Sequence, residues 1–345
     1  MGLYTSAYKK CSDLIRDMKE RGYSQLTKSE PTYVELYTCM AEIECMRTDF
    51  EKALADIKIA YSLSKNFSNS SYKVWVRLIY SLILSGRGDT SSMMKLLNEI
   101  DDIIEHNTIS PSARAMYIDM RGKLLIEQNE PEEAGNFFKN NGLRPGKEIS
   151  YLEDRGYFFF VLLLITELKF DEAEEILSGL QKMSQAAKWI ETLISVKVMY
   201  AVFYKDSGNK EKAVASLIEA MEYAADENIL MPFVYYHNRI KDLLPEVFKI
   251  QATTKTNIPK KSIDKLKLAI EKRERFIKNN QGSGLSDREL DILRLIAEDL
   301  TNQEIADKLF ISLNTVKTHL KNIFLKLDAD SRIKAVDKAK YLVII

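Results

Sequence analysis

The chain has 345 residues, of which 46% are hydrophobic and 29% are charged, and 50 basic residues balance 50 acidic ones. This length and composition predict a soluble chain large enough for two or more domains. The longest apolar run, residues 157–165, has nine residues and is too short to cross a bilayer, so no membrane partner is predicted.

The first predicted element is a helix over Tyr4 to Met18. It resembles the second helix of a helix pair, but no first helix precedes it in the sequence. An array of helix pairs ordinarily starts with a full pair or a polar cap. The unmatched helix therefore leaves open that the sequence is the C-terminal part of a larger protein.

A repeat of about 40 residues follows, set out by the segments DFEKA, DTSSM, EPEEA, KFDEA and NKEKA. Each segment ends in a marker residue, and the separations are 40, 41, 39 and 40 residues. The markers are Ala53, Met93, Ala134, Ala173 and Ala213. The residues twelve positions earlier are mostly small: Ala41, Ser81, Gly122, Val161 and Ala201. This register predicts stacked helix pairs, because small residues let two helices approach closely.

Larger side chains occupy two further columns, three residues after the small residues and four after the markers. The first column is Glu44, Leu84, Leu125, Leu164 and Tyr204. The second column is Ile57, Leu97, Phe138, Leu177 and Leu217. The arrangement resembles the tetratricopeptide scheme with an enlarged repeat, which implies a superhelical array.

Aromatic residues are frequent in this region and are open to two interpretations, a ligand site or core packing. They include Trp75, Tyr157 to Phe160, Trp189, Tyr200, Tyr235 and Tyr236. We predict that most of them are core, because an array of helix pairs has to fill its interior with large side chains. The run at 157–165 is then the most deeply buried helix of the stack.

A linker is predicted between the array and the C-terminal region. Pro259 and the NNQGSG stretch at 279–284 mark the hinges, with a helix from Lys260 to Lys278 between them. Three isoleucines in this helix lie seven residues apart, a spacing that suits a partner helix. They are Ile263, Ile270 and Ile277.

Residues 285–345 predict four short helices. Ser286 with Glu289, and Thr301 with Glu304, have the capping-box spacing that starts a helix. The apolar residues that follow each box lie at core spacing. They are Leu290, Leu293 and Ile296 in the first helix, and Ile305, Ala306 and Leu309 in the second.

The third helix is predicted from about Leu313 to Leu327, after a turn through Phe310 and Ile311. Ser312 is a good cap for its start. At 100° per residue, four apolar residues fall on one narrow face, namely Val316, Leu320, Ile323 and Leu327. Four polar residues, Asn314, Lys317, Thr318 and Lys321, fall on the opposite face.

We name these four residues the polar face. It carries no carboxylate, and its amide, hydroxyl and two lysines suit contact with base edges and phosphates. A fourth helix is entered at Asp330 or Ser331, with Ile333, Ala335 and Val336 available for packing. Two short helices separated by one tight turn are the layout that enters the major groove of DNA.

These residues resemble the LuxR-type helix-turn-helix, the output domain of many bacterial transcription regulators. The matching positions are Arg288-Glu289, Asn302, Glu304-Ile305-Ala306, Leu309, Ser312, Thr315-Val316-Lys317, His319, Lys326-Leu327, Arg332 and Ala335-Val336. The resemblance implies that Lys317, Thr318 and Lys321 face bases. It also implies phosphate contacts from Asn302, Ser312, Thr315 and Lys326. A two-fold dimer contact is implied for the last helix, with Arg332, Ala335 and Val336.

The sequence departs from the LuxR-type pattern at two positions. Family members commonly have glycine where this chain has Asp299 and Asp328. Aspartate tolerates a left-handed backbone better than most residues, so we expect the turns to survive. A negative charge at Asp328 is expected to weaken phosphate contact.

Charge is distributed unevenly along the chain. Residues 285–345 hold ten basic and ten acidic residues, so one copy of the domain should gain little affinity from counterion release. Residues 255–278 hold nine basic residues against three acidic, whereas residues 1–254 hold 31 against 37. The basic linker is either a solvated helix flank or an aid to DNA binding, and the two are compatible.

The combination of a tetratricopeptide-type array with a LuxR-type domain is similar to MalT-like regulators, which carry an ATP-binding module upstream. No GxxxxGK[ST] motif occurs in this chain, and no cofactor is predicted. Three dispersed histidines and the absence of a nucleophile motif predict no metal site and no enzyme. Three cysteines, Cys11, Cys39 and Cys45, are typical of reducing cytosol and predict a cytoplasmic protein.

The sequence therefore predicts a transcription regulator that binds double-stranded DNA in a sequence-specific way as a homodimer. Its predicted segments are a sensing array at 1–254 for an unknown ligand or protein partner, a basic linker helix and flexible linker at 255–284, and the DNA-binding domain at 285–345. Two alternatives remain open. One is a tetratricopeptide scaffold whose terminal domain serves dimerisation, and the other is the output half of a larger ATP-dependent regulator.

Overall fold

A computed structural model describes residues 3–20, 31–65, 67, 69–128, 130–253, 257–282, 285, 287–309, 311–327 and 329–341. Within these residues the chain forms nineteen α-helices and one short 3-10 helix, and no strand. The predicted all-α fold class is confirmed. The chain divides into a first unit, Met1–Gly86 with Ser92–Ile270, and a second unit, Arg87–Ser91 with Glu271–Ile345.

Helix α1 (Leu3–Glu20) opens the first unit and is followed by five helix pairs. The pairs are α2 (Pro31–Met46) with α3 (Phe50–Ser64), α4 (Ser70–Arg87) with α5 (Thr90–His106), α6 (Pro111–Glu127) with α7 (Pro131–Asn140), α8 (Phe158–Thr166) with α9 (Phe170–Ala187), and α10 (Ile190–Asp206) with α11 (Lys210–Ala225). A 3-10 helix, Asp154–Tyr157, leads directly into α8. The predicted array of helix pairs is confirmed.

The marker residues and the small residues twelve positions before them are all buried, as the repeat register requires. Gly122 shows why one column is small. A Cβ atom added to Gly122 would lie 2.2 Å from Cζ of Phe138, the large residue of the facing helix α7. The ring of Phe138 therefore occupies the space that a side chain at position 122 would need.

The turns inside the helix pairs repeat the same backbone geometry. Thr48, Gly88, Leu168 and Gly208 all have left-handed φ angles, between 61° and 89°, and lie 40 or 80 residues apart. After Thr48, Leu168 and Gly208, the next residue donates its amide to a carbonyl five residues back, as from Asp49 to Glu44 at 2.9 Å. This bond satisfies a carbonyl that the end of the helix leaves free.

Helix α8 is the most apolar element of the array, and Phe158 to Ile165 are all buried. This confirms the predicted depth of the run at 157–165. Tyr200, Tyr235 and Tyr236 are buried as well. The two tryptophans differ from the prediction, since Trp75 is half-buried and Trp189 is exposed. Among the described helices, none has both the length and the apolar character needed to span a membrane.

The segment after the fifth pair returns to earlier repeats. It contains α12 (Met231–Tyr235), α13 (His237–Ile240) and α14 (Leu244–Thr253). The Leu230 amide donates to the Met46 carbonyl at 2.7 Å, and the Tyr235 hydroxyl donates to Oδ2 of Asp119 at 2.9 Å. The end of the array is thus bonded both to its first pair and to its third pair.

Helix α15 (Lys260–Gly282) starts after Pro259, as predicted, but extends four residues past Lys278 into the predicted hinge. The NNQG segment continues the helix, and only Ser283 and Gly284 of that hinge lie outside the described residues. Ile263 and Ile270 are buried in the core of the first unit, so packing within the chain occupies them. The boundary predicted between residues 254 and 255 lies outside the described residues.

The second unit contains the four helices predicted for the C-terminal region. They are α16 (Asp287–Ala297), α17 (Asn302–Leu309), α18 (Leu313–Lys326) and α19 (Arg332–Tyr341). Asp299 has φ 60°, which confirms that aspartate adopts the left-handed turn expected of it. Ser286, Phe310 and Asp328 lie outside the described residues.

Candidate nucleic-acid interface

The start of α17 is fixed by the predicted capping box. The Thr301 amide donates to Oε2 of Glu304 at 2.7 Å, and the Glu304 amide donates to Oγ1 of Thr301 at 3.3 Å. The hydrogen bond from the Thr301 amide, followed by that from its hydroxyl, lowers the pKa of Glu304. The helix therefore begins where the sequence predicts.

The start of α18 is fixed by Ser312, whose backbone is extended and whose Oγ accepts the Thr315 amide at 3.0 Å. The two hydroxyls of Ser312 and Thr315 lie 2.8 Å apart. Both side chains are exposed at the first turn of the helix. Free backbone amides and hydroxyls at a helix N-terminus are donors suited to an anion such as phosphate.

The apolar stripe of α18 is buried as predicted, at Val316, Leu320, Ile323 and Leu327. Its burial leaves the polar face, Asn314, Lys317, Thr318 and Lys321, exposed on the other side of the helix. The Thr318 hydroxyl donates to the Asn314 carbonyl at 3.0 Å. Lys317 and Lys321 form no ion pair with any described carboxylate, so both ammonium groups are available to a partner.

Two arginines from neighbouring helices orient α17 and the turn. Nη2 of Arg288 donates to the Leu309 carbonyl at 2.7 Å, at the end of α17. At its start, Nη1 of Arg332 donates to Oδ1 of Asn302 at 3.1 Å, and Nη2 donates to the Leu300 carbonyl. The predicted phosphate residue Asn302 and the predicted dimer residue Arg332 are thus bonded to each other within one domain.

Lys326 lies in the last turn of α18, where its Nζ pairs with Oε2 of Glu289 at 2.7 Å. Glu289 is 2% exposed, so this carboxylate belongs to the domain interior. The ion pair joins α18 to α16. A lysine held in this way contributes first to the placement of α18 in the domain.

Replacing Lys326 with methionine is expected to destabilise the second unit by about 1–3 kcal/mol, because a buried carboxylate loses its cation. Denaturant unfolding followed by circular dichroism measures the change. Lys321→Met, on the same helix and without an ion pair, is the matched control. Equal stability of the two variants would contradict a structural role for the pair.

In helix α19 the burial of the side chains differs in part from the prediction. Ala335 is 0% exposed and Val336 is half-buried against the core, so Ala335 cannot present its side chain to a second copy. Ile333, predicted to pack, is instead 74% exposed. Ala335 and Ala339 define the buried face, and a residue two positions from Ala335 points about 200° away. Among the described side chains of α19, Ile333 is therefore the large apolar one that is exposed to solvent.

The pairing of Glu289 is not predicted by the sequence analysis, which places this residue in a capping box. A signal is nevertheless present, because Glu289 lies three and four residues before the buried Ile292 and Leu293. A carboxylate at that position of an apolar stripe needs a cationic partner.

Among the described residues, no group of three or more His, Cys, Asp or Glu side chains could hold a metal ion.

Comparison with known families agrees with both parts of this architecture. The family described as bacterial regulatory proteins of the luxR family matches residues 283–339. The MalT-like TPR region matches residues 5–249, which is well over half of the chain. The first family covers the four-helix domain, and the second covers the array of helix pairs.

Individual relatives match one or both parts. The transcriptional regulatory protein LiaR of Bacillus subtilis is 57% identical over 51 residues, 15% of this chain and 24% of its own length. The HTH-type transcriptional regulator AlkS of Alcanivorax borkumensis is 26% identical over 182 residues, 50% of this chain and 20% of its own. The HTH-type transcriptional regulator MalT of Klebsiella pneumoniae is 23% identical over 288 residues, 74% of this chain and 30% of its own.

The chain therefore spans less than a third of the length of each of these relatives. Its own residues nonetheless match one family over the array and another over the terminal domain. By these matches, the chain belongs to the family of the MalT-like TPR region, and its C-terminal domain matches the luxR family of bacterial regulatory proteins.

Proposed function

We propose that this chain is a transcription regulator that binds double-stranded DNA through the polar face of α18. The observation that supports the proposal is the pair of exposed lysines on that face, neither of which has a carboxylate partner among the described residues. An α-helix fits the major groove, and lysine and asparagine donate to base edges there. Ser312 and Thr315 at the start of the helix would contact phosphates.

Selection from a pool of random-sequence duplexes tests this proposal and lets the chain itself choose the operator sequence. We expect the purified chain to enrich one motif built from two related half-sites, about one helical turn or a multiple of it apart. Two results together would instead favour an interaction scaffold. No motif would be enriched after repeated rounds of selection, and pull-downs from lysate would retain the same proteins with and without nuclease.

We further propose that two copies meet on DNA through α19, with Ile333 as the apolar contact. The net charge of one C-terminal domain is zero, so a single copy has little electrostatic affinity, and two half-sites compensate for this. An exposed isoleucine on a short helix is a suitable centre for a two-fold contact, because the same residue serves both copies.

Ile333→Asp is expected to change the stoichiometry on the selected duplex from two chains to one, and to weaken binding by about tenfold or more. The reason is that two aspartates would face each other across the two-fold axis. Native mass spectrometry of the complex counts the chains. Leu268→Asp, an exposed aliphatic residue in the first unit, is the control. A complex of two chains that survives Ile333→Asp would rule out this surface.

In the proposed regulator, residues 1–254 sense a ligand or partner, residues 255–284 link the domains, and residues 285–345 bind DNA. The sensing role is supported by the array of the first unit, which encloses charged side chains such as Asp119 and Asp154. Buried charge of this kind is uncommon in an array that serves only as a spacer.

A further inference from the structure

The first unit contains a cavity of about 650 Å³. Its walls come from α1, α4, α6, the 3-10 helix, the start of α10, the end of α11 and the residues next to these elements, and all of its lining residues belong to this unit. The volume lies in the range of small-molecule sites, about 300–1,000 Å³.

Exposed apolar side chains are concentrated on the wall of this cavity. Tyr151, Leu152, Trp189, Ile190 and Tyr223 are all exposed large hydrophobic residues that line it. Tyr151 and Trp189 contact edge to face, with ring centroids 5.7 Å apart. A cluster of solvent-exposed apolar residues marks an interaction site, because leaving it uncovered has a cost in free energy.

Negative charge is in excess on the same wall. Five carboxylates line the cavity, Asp154, Glu191, Glu222, Asp226 and Glu227, against two cations, Arg155 and Lys188. Arg155 already pairs with Glu191 and lies 3.7 Å from Glu42. Glu227 pairs with Arg47.

Asp154 is buried and accepts the Thr192 hydroxyl at 2.7 Å, which leaves two carboxylates on the open wall without an ion pair within the described residues. These are Glu222 and Asp226, which lie one helical turn apart on either side of Tyr223. Among the described residues, Glu222 accepts the Asn257 amide, at 3.4 Å. The wall therefore presents two unbalanced negative charges beside an exposed aromatic ring.

A second observation does not depend on the residues of this wall. Asp119 is 7% exposed, and its Oδ1 has no hydrogen-bond donor among the described residues. It lines a smaller cavity of about 50 Å³, whose walls share Met116, Arg155 and Glu191 with the larger one. Burial raises the pKa of Asp119 to about 7. A buried carboxylate oxygen of this kind needs a donor, and the adjoining cavity is where one can enter.

We propose that the larger cavity binds a small organic cation, an ammonium group carried on an apolar or aromatic body. Glu222 and Asp226 would balance the ammonium charge, while ring faces such as those of Tyr223 and Trp189 attract cations electrostatically. The body would cover Tyr151 and Ile190. An anion is disfavoured, because it would face five carboxylates. The inference rests on the sensor role proposed above and gives the chemical class of the signal.

The chain itself supplies the probe for a test. Trp75 and Trp189 are its two tryptophans and both line the cavity, so fluorescence excited selectively in tryptophan reports on this site. The intact chain is titrated at neutral pH with 2-phenylethylamine and with benzyltrimethylammonium. Their neutral counterpart is 2-phenylethanol. We expect a saturable fluorescence change with both cations and binding at least about tenfold weaker with the alcohol.

The double variant Glu222→Gln/Asp226→Asn is expected to weaken cation binding by about tenfold while leaving the weak response to the alcohol unchanged. Glu132→Gln/Glu133→Gln, two exposed acids of α7 outside the cavity, is the matched control. Circular dichroism confirms that the variants are folded.

Two results would overturn the proposal. They are the absence of a saturable response to either cation up to about 10 mM, and an equal response to cation and alcohol. The titration contains no DNA. If the duplex selection fails, the regulator role is contradicted but the cation binding measured by titration is not affected. If the titration fails, the proposal of DNA binding is not affected.

Discussion

Replacing Lys317 and Lys321 together with alanine is expected to abolish the sequence-specific shift of the selected duplex. Each contact to a base edge contributes about 1–3 kcal/mol, so losing two weakens binding by about a hundredfold or more. Both side chains are exposed and lack an ion-pair partner among the described residues, so the melting temperature should hardly change. Fluorescence anisotropy with a labelled duplex measures the affinity.

Salt dependence separates the two kinds of contact that these lysines can make. If both contact phosphates, the slope of log affinity against log salt falls by about two and all sequences are affected alike. If they contact bases, discrimination against altered half-sites is lost instead. Lys9→Ala/Lys10→Ala removes the same charge from exposed positions of α1 and is the control. Binding that persists in the double variant would mean that the polar face is assigned wrongly.

Replacing Phe138 with alanine is expected to have the largest effect on stability in the array, about 3–5 kcal/mol. Its side chain is fully buried, lies over Gly122 and has its ring 5.5 Å from that of Phe160, in the next pair. The substitution would leave a cavity where two repeats meet. Denaturant midpoints, with an unchanged slope, measure the loss.

A graded series keeps this prediction measurable if the alanine variant does not fold. Phe138→Leu retains most of the volume and is expected to cost about 1–2 kcal/mol. Phe137→Ala, the adjacent and only half-buried aromatic residue, is the matched control and should cost less than Phe138→Ala. Gly122→Ala should destabilise strongly on its own and less in combination with Phe138→Leu. Equal costs for Phe137 and Phe138 would contradict the repeat register.

Features with a local period can be predicted from the sequence. The stripe of α18 and the marker columns depend on spacings of three, four or about 40 residues, which the order of residues specifies directly. The left-handed turn at Asp299 is also predictable, because few residue types tolerate that backbone.

Features that depend on distant contacts could not be predicted. Tyr235 bonds to Asp119 across 116 residues, and no periodicity in the short helices α12 and α13 indicates that partner. The sequence pattern groups Trp189 with the core aromatics, but this residue precedes α10 and therefore lies outside the helical pattern that determines burial. The cavity lined by Trp189 follows from the closure of the array.

The hydrogen bond from Leu230 to Met46 has a consequence for how the array comes apart. In an open solenoid each repeat touches only its neighbours, so terminal repeats fray first and unfolding spreads inward. Here the segment that follows the last pair is hydrogen-bonded to the first pair, so neither end can unfold alone without breaking this bond. The five pairs should therefore unfold as one cooperative unit, in which a destabilising substitution in any single repeat lowers the stability of all of them.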